Sequence, residues 1–151
     1  MHMKATISGK QLGTMLTIPA NEWQNLGNAL RLRIITRTRM QNVDADGMPF
    51  HAYSEGYAKA KAKHGGLMSG GRVNLTGTAA GPKMLDNIAV QVQATINPRL
   101  TLHFATAGKA QIALYHMGEG RVDREFFALS EDDVDYSVTY LKGRLRLTSG
   151  L

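Results

Sequence analysis

Trp23, Leu26, Leu30 and Ile34 recur at spacings of three and four residues, so on a 3.6-residue period they line one side of a single helix. That stripe commits the stretch from Asn21 to about Arg39 to a helix with one buried side. Asn21 is placed to cap the first turn, with Pro19 just outside it and Glu22 suited to the positive helix end. Leu32 and Ile35 fall off the stripe, which predicts neighbours on more than one side. Arg31, Arg33, Arg37 and Arg39 spread around the helix instead of sharing a face. Phosphate contacts need cations on a common face, so these arginines read as solvated or interface charges.

Further along, the period changes from helical to alternating. Val90, Val92, Ala94 and Ile96 alternate with Gln91, Gln93 and Thr95, and after Asn97-Pro98 the residues Leu100, Leu102 and Phe104 alternate with Thr101 and His103. Both runs have the period of a half-buried strand, and the break between them predicts an antiparallel hairpin. Between the long helix and the hairpin, Asp44 to Pro49 is turn chemistry. A second helical pattern, Ser54 to His64, is basic through Lys59, Lys61 and Lys63, and Ser54 is its cap. Four glycines between Gly65 and Gly71 predict a flexible loop over 66–72, either a plain connector or an arm that orders against a neighbour. Pro82 suits the opening of a short helical turn through Asn87. Lys109 to Met117 is compatible with a short helix ended by Gly118. Ser130-Glu131-Asp132-Asp133 caps a last helix carrying Val134, Val138, Leu141 and Leu145 at helical spacing. The expected class is α+β: a single domain over 1–151 with a long N-terminal helix, an antiparallel hairpin-based sheet and shorter helices. Its ends, 1–19 and 147–151, are expected to be mobile.

Composition narrows the function classes. A chain of 151 residues with 43% hydrophobic side chains can bury one core. The lack of cysteine excludes disulfide scaffolds, thiolate zinc sites, iron–sulfur clusters and a cysteine nucleophile. The apolar runs are only a few residues long and the start lacks the apolar segment of a secretory signal, so a chain made in the cytoplasm, with no membrane partner, is expected. Met40, Met48, Met68, Met84 and Met117 read as core filler in preference to an adaptable binding surface. Residues 1–118 hold thirteen Lys/Arg against five Asp/Glu, whereas residues 119–151 hold five against seven. Two parts of opposite sign suit self-association as well as they suit nucleic acid.

No catalytic or metal constellation emerges. Gly77-Thr78-Ala79-Ala80-Gly81-Pro82-Lys83-Met84 resembles a phosphate loop but spaces its glycines wrongly, separates Lys83 from Gly81 by a proline, and ends on Met84 where a hydroxyl is needed. His2, His51, His64, His103 and His116 contain no pair four residues apart on a helix, and the acids from Glu131 to Asp135 lack the alternation of a calcium loop. No serine sits in a Gly-x-Ser-x-Gly elbow, and Asp44 and Asp46 lie in a turn where both are solvated. The expectation is a protein that is not an enzyme, with no catalytic residue, no cofactor and no metal.

The order of short motifs carries a further signal. The long basic helix is followed by Asp46-Gly47-Met48-Pro49-Phe50-His51-Ala52-Tyr53-Ser54 and by Tyr57-Ala58-Lys59-Ala60-Lys61-Ala62-Lys63-His64-Gly65. Then come Val73-Asn74-Leu75-Thr76-Gly77-Thr78, Met84-Leu85, the hairpin, Ala113-Leu114-Tyr115-His116-Met117-Gly118 and Arg124-Glu125-Phe126-Phe127-Ala128-Leu129-Ser130. Over roughly residues 20 to 135 this series resembles the virion morphogenesis, or tail completion, proteins of Mu-like and P2-like tailed phages. One departure is that the family's closely spaced Thr-Gly-x-Met-Leu is opened here by Thr78 to Lys83.

The resemblance implies a non-enzymatic structural protein of the phage or prophage virion, at the neck or tail end. Such a protein would be made in the bacterial host cytoplasm and needed for tail completion or head–tail joining. It also implies a ring-like homo-oligomer, docking to other tail or neck proteins, and non-specific contact with DNA in a channel. The candidate interface residues are Phe50, Tyr53, Tyr57, Met84, His116, Arg124, Phe126 and Phe127. Phe50, Tyr53 and Tyr57 either anchor a helix on the core or offer aromatic anchors to a neighbour, core packing being preferred for Tyr57. If Arg124 to Phe127 is a strand, one of its two phenylalanines points inward and the other outward, and an exposed Phe127 is a natural oligomer contact. The competing class is a small basic nucleic-acid-binding protein.

Overall fold

The computed structural model describes residues 4–8, 16–63, 75, 83–95, 97–117 and 124–147. Its order is β1 (Lys4–Ser8), β2 (Leu16–Thr17), α1 (Ala20–Thr36), α2 (Glu55–Lys63), β3 (Ile88–Gln93), β4 (Arg99–Phe104), α3 (Ala107–His116), α4 (Glu131–Lys142) and β5 (Arg146–Leu147). The fold is α+β. A three-stranded antiparallel sheet runs β1-β4-β3, and β2 pairs with β5 in a separate two-stranded ladder. α1 lies across β3 and β4, α3 packs on β4, and α4 lies along α1.

The predicted stripe of α1 is the inner face. Trp23, Leu26, Leu30 and Ile34 are all buried, and they meet Leu100, Leu102 and Phe104 of the central strand. In the hairpin, Val90 stands opposite Leu102 and Val92 opposite Leu100, so the apolar residues of both strands share the face under α1. The helix comes so close there that a Cβ built on Gly27 would stand 2.3 Å from Val90 Cγ1 and 2.6 Å from Leu100 Cδ1. Beyond Thr36 the helix continues as a π-helical turn, Arg37–Gln41. The extra residue in that turn leaves Gln41 exposed and turns Asn42 inward, with φ +62° in the left-handed region that asparagine tolerates.

Several expectations need correction. Asn21 is not the cap: α1 begins at Ala20 with Pro19 in the N-cap position, where its restricted φ of −58° leads into the helix. Within the end over 1–19, Lys4–Ser8 and Leu16–Thr17 are strands, and at the other end Leu147 belongs to β5. Lys4-Ala5-Thr6-Ile7-Ser8 does alternate polar and apolar residues, a local strand signal, whereas the two-residue strands β2 and β5 are too short to show a period. The hairpin strand stops at Gln93, leaving Ala94 exposed, while Ile96 lies outside the described residues. Thr101, placed on the wet face, is buried because β4 is the central strand. Its neighbour Gln91 on the edge strand is exposed. Met40 and Met48 are exposed and not core filler, whereas Met84 is buried. The glycine-rich loop over 66–72 and Pro82 also lie outside the described residues, but the helical turn expected up to Asn87 is present as a 3₁₀ turn, Leu85–Asn87.

The largest correction concerns α4. The capping box is present: Ser130 Oγ accepts from the Asp133 amide at 3.1 Å, and the Ser130 amide donates back to Asp133 Oδ2 at 3.1 Å. Of the apolar stripe, however, only Leu141 packs against the core. Val134, Val138 and Leu145 are exposed, and the helix turns Asp133 and Ser137 inward. The reason is electrostatic. Asp133 accepts from Arg33 Nε at 2.5 Å and from Arg37 Nη1 at 2.7 Å, and Arg37 Nη2 also donates to the Ala128 carbonyl at 2.7 Å. Farther down the seam Arg33 lies over the Tyr136 ring and Tyr140 donates to Glu22 at 2.7 Å. The α1 arginines are therefore not generally solvated: Arg37 is buried and Arg39 holds Asp86 at 2.6 Å.

Gly27→Ala gains about 1 kcal/mol of helix propensity but overpacks the α1–hairpin contact at a cost of about 1–3 kcal/mol, so urea denaturation should show a net loss. Asp133→Ala leaves Arg37 buried without its partner and should lower stability by about 3–5 kcal/mol. Burial alone would raise the Asp133 carboxyl, but hydrogen bonds from Arg33, Arg37 and Ser130 outweigh it and hold the group below its usual range. The stabilisation is then full above the unfolded-state value of about 3.9 and lost as pH falls toward the lower folded value. Asp133→Asn should flatten that acid limb in denaturation curves taken at stepped pH.

Candidate functional site

The motif residues come together around one ring. Tyr53 precedes α2, and Tyr57 and Lys61 follow it at four-residue intervals, so the three stack along one side of the chain as it enters the helix. The Tyr53 and Tyr57 rings meet edge to face at 4.9 Å. Lys61 Nζ donates to the Tyr53 hydroxyl at 3.0 Å and lies 4.5 Å from the centre of that ring. The guanidinium of Arg124, arriving from the segment before α4, lies over the same ring at 5.2 Å. The Tyr53 hydroxyl in turn accepts from the Leu75 amide at 3.1 Å.

Arg124 acts as a brace. Its Nη2 donates to the carbonyls of His51 at 2.9 Å and Ala52 at 3.3 Å, and its Nε reaches His51 O at 3.2 Å. Its Nη1 stands 3.5 Å from His116 Nδ1 at the end of α3. A ring nitrogen facing a guanidinium must be the unprotonated one, which places the histidine's proton on Nε2. Burial, the Arg124 charge and then the Lys61 charge push His116 down to about 4, so it is neutral at physiological pH. Burial, followed by the charges of Arg124 and Lys83, lowers Lys61 to about 8. For Tyr57 the shift is upward, from burial and then Tyr53. The cluster thus ties together the turn before α2, α2 itself, the end of α3 and the segment before α4.

The eight residues singled out from the sequence divide into two groups. Tyr53, Tyr57, His116 and Arg124 form the cluster, with Arg124 buried, Tyr53 half-buried and Tyr57 exposed on its rim instead of packed into the core. Met84, Phe126 and Phe127 are core residues, and Phe50 packs against that core half-buried. The inward–outward alternation expected for the two phenylalanines does not occur. Residues 124–130 form no strand, so both rings point inward, where Phe127 meets Phe104 at 4.8 Å and Phe126 meets it at 6.5 Å. Phe127 is accordingly not exposed in the single chain.

Lys61, read from the sequence as one of three lysines that make α2 basic and not singled out as a site residue, is fully buried. The available signal was its spacing: it repeats the Tyr53–Tyr57 interval once more. Among the described residues no group of three His, Asp or Glu side chains is placed to hold a metal ion, and no helix is long and apolar enough to cross a membrane. The cluster's groups contact one another and the main-chain carbonyls of His51 and Ala52, which holds these segments in place. The chain matches no protein-family model, no curated protein and no solved structure. A functional reading therefore rests on the order of the motifs and on this geometry.

Because unfolding returns His116 to about 6.5, the unfolded chain binds the extra proton between that value and the folded value of about 4. Stability should thus rise with pH across that window and fall as pH drops from 6.5 toward 4. Chemical denaturation of His116→Gln should show the slope reduced there, and an unchanged slope would contradict the buried neutral histidine.

Proposed function

We propose that this chain is a non-enzymatic structural or assembly protein of the phage neck or tail end. It would act in tail completion or head–tail joining through self-association and docking to other virion proteins. The observation that carries the reading is the use made of the motif residues. Tyr53, Tyr57, Lys61, His116 and Arg124 are folded into a brace that sets the position of α2, with the two tyrosines and two cations satisfying each other. Motif residues spent on holding a helix in place suit a protein whose product is a surface. The exposed apolar side chains of α4 supply a candidate for such a surface.

The proposed site of action is the virion, with assembly beginning in the host cytoplasm. Contact with DNA in a channel would be non-specific and salt-sensitive. A free nucleic-acid-binding role has weaker support, because Arg33, Arg37 and Arg39, which made the long helix look basic, are held by Asp133 and Asp86.

The test is genetic and structural. Deleting the coding sequence from the phage or prophage that carries it should leave heads and tails unjoined or tails unfinished in electron micrographs. Infectivity should return when the chain is supplied from a plasmid. Complete, infectious particles at full titre without the chain would overturn the proposal.

A further inference from the structure

α4 presents a ridge that nothing in the described fold covers. Val134 and Val138, one helical turn apart, are 48% and 44% exposed, and Leu145, past the end of the helix, is 43% exposed. Half-buried Leu141, on the same side, packs back against the core and anchors the base of the ridge. The exposed carboxylates of Glu131 and Asp135 run along the outer flank of this ridge. α2 shows the opposite character. Of its nine residues only Lys61 is buried, and its outer side carries Gly56 and Ala60 between Lys59 and Lys63 on one flank and exposed Tyr57 on the other. A nine-residue helix is too short to be stable on propensity alone, so its fold gains when a second surface packs on it.

We propose that the α4 ridge of one copy seats on the outer face of α2 of a second copy, in a head-to-tail contact. This rests on the assembly reading given above and specifies the surfaces it uses. The two faces match in three ways. Val134 and Val138 are bulky where Gly56 and Ala60 are small, so the helices approach closely. Tyr57 offers an aromatic ring to the side of the ridge away from the acids. Glu131 and Asp135 are separated by the same four residues as Lys59 and Lys63, about 6 Å along either helix, so both pairs align in one register. The Lys59 contact with Glu55 is an exposed pair, and such pairs contribute little and exchange readily. An α4–α4 contact is the poorer match, since it brings four carboxylates of the two flanks against only two copies of Lys142. Because the two surfaces differ, the contact is heterologous. It leaves one α4 and one α2 open at the ends of any chain of copies until a ring closes.

Charge exchange tests this directly. One variant reverses the ridge flank, Glu131→Lys with Asp135→Lys, and a second reverses the acceptor, Lys59→Glu with Lys63→Glu. All four positions are exposed, and circular dichroism verifies that each variant folds. Light scattering behind a sizing column should show the native chain associating with rising concentration and less so at high salt. Each variant alone sets like charges against each other and should associate at least roughly tenfold more weakly. An equal mixture should recover association, because in an alternating chain every α4 meets an α2 of opposite sign. Val138→Ser should weaken association without altering the charge pattern.

A native chain that stays a single copy at millimolar concentration overturns the contact, as does either variant associating as well as the native chain or a mixture that recovers nothing. These outcomes leave the virion role to be judged by the deletion experiment, since incomplete particles with an intact charge-reversed chain would point to a different assembly surface.

Discussion

Two arginines of the long helix converge on the carboxylate of Asp133, and the orientation of the C-terminal helix follows from that meeting. Arg37 is buried and so cannot be left without an anion, because an unpaired buried charge is among the most costly defects a fold can carry. Asp133 answers it while also closing the capping box at Ser130, so one side chain starts α4 and docks it. Satisfying that pair fixes which side of α4 faces α1. Its valines are consequently left outside, and the surface proposed for assembly exists because a charge was neutralised inside.

A second polar knot, around Tyr53, performs the same task for α2. That helix has almost no apolar side chain to bury, and it is held through Lys61 and Tyr53, with Arg124 gripping the turn that precedes it. Arg124 stands two residues before the Phe126–Phe127 pair that enters the core beside Phe104. The aromatic core and the cationic brace are therefore parts of one segment. A change that moves Phe126 or Phe127 would pass to α2 through Arg124.

How much of this was legible in the sequence depended on whether a residue acts through periodicity or through a distant partner. The buried stripe of α1, the hairpin with its inward Val90, Val92, Leu100 and Leu102, the capping box at Ser130 and the turn from Asp44 to Pro49 are local patterns, and they read correctly. Arg33 and Arg37 lie about a hundred residues from Asp133, and no local rule connects them. The inward turn of Phe127 was missed because adjacent residues alternate only in a strand, and residues 124–130 form none. In the candidate site Tyr53, Tyr57, His116 and Arg124 were named from their motifs, whereas Lys61 counted only as one of three lysines that make the helix basic.

By itself the sequence determined the elements: where the long helix lies, which of its sides is apolar, where the period changes to that of strands, and that cysteine chemistry is absent. Those are consequences of short-range sterics and of burying a regular apolar face. Only the tertiary structure decided which charges are internal, which side of α4 faces outward, and that Tyr53 is the meeting point of Lys61 and Arg124. A charged side chain has no preferred direction until a partner is in reach. That partner comes from a part of the chain brought near only when the core has formed.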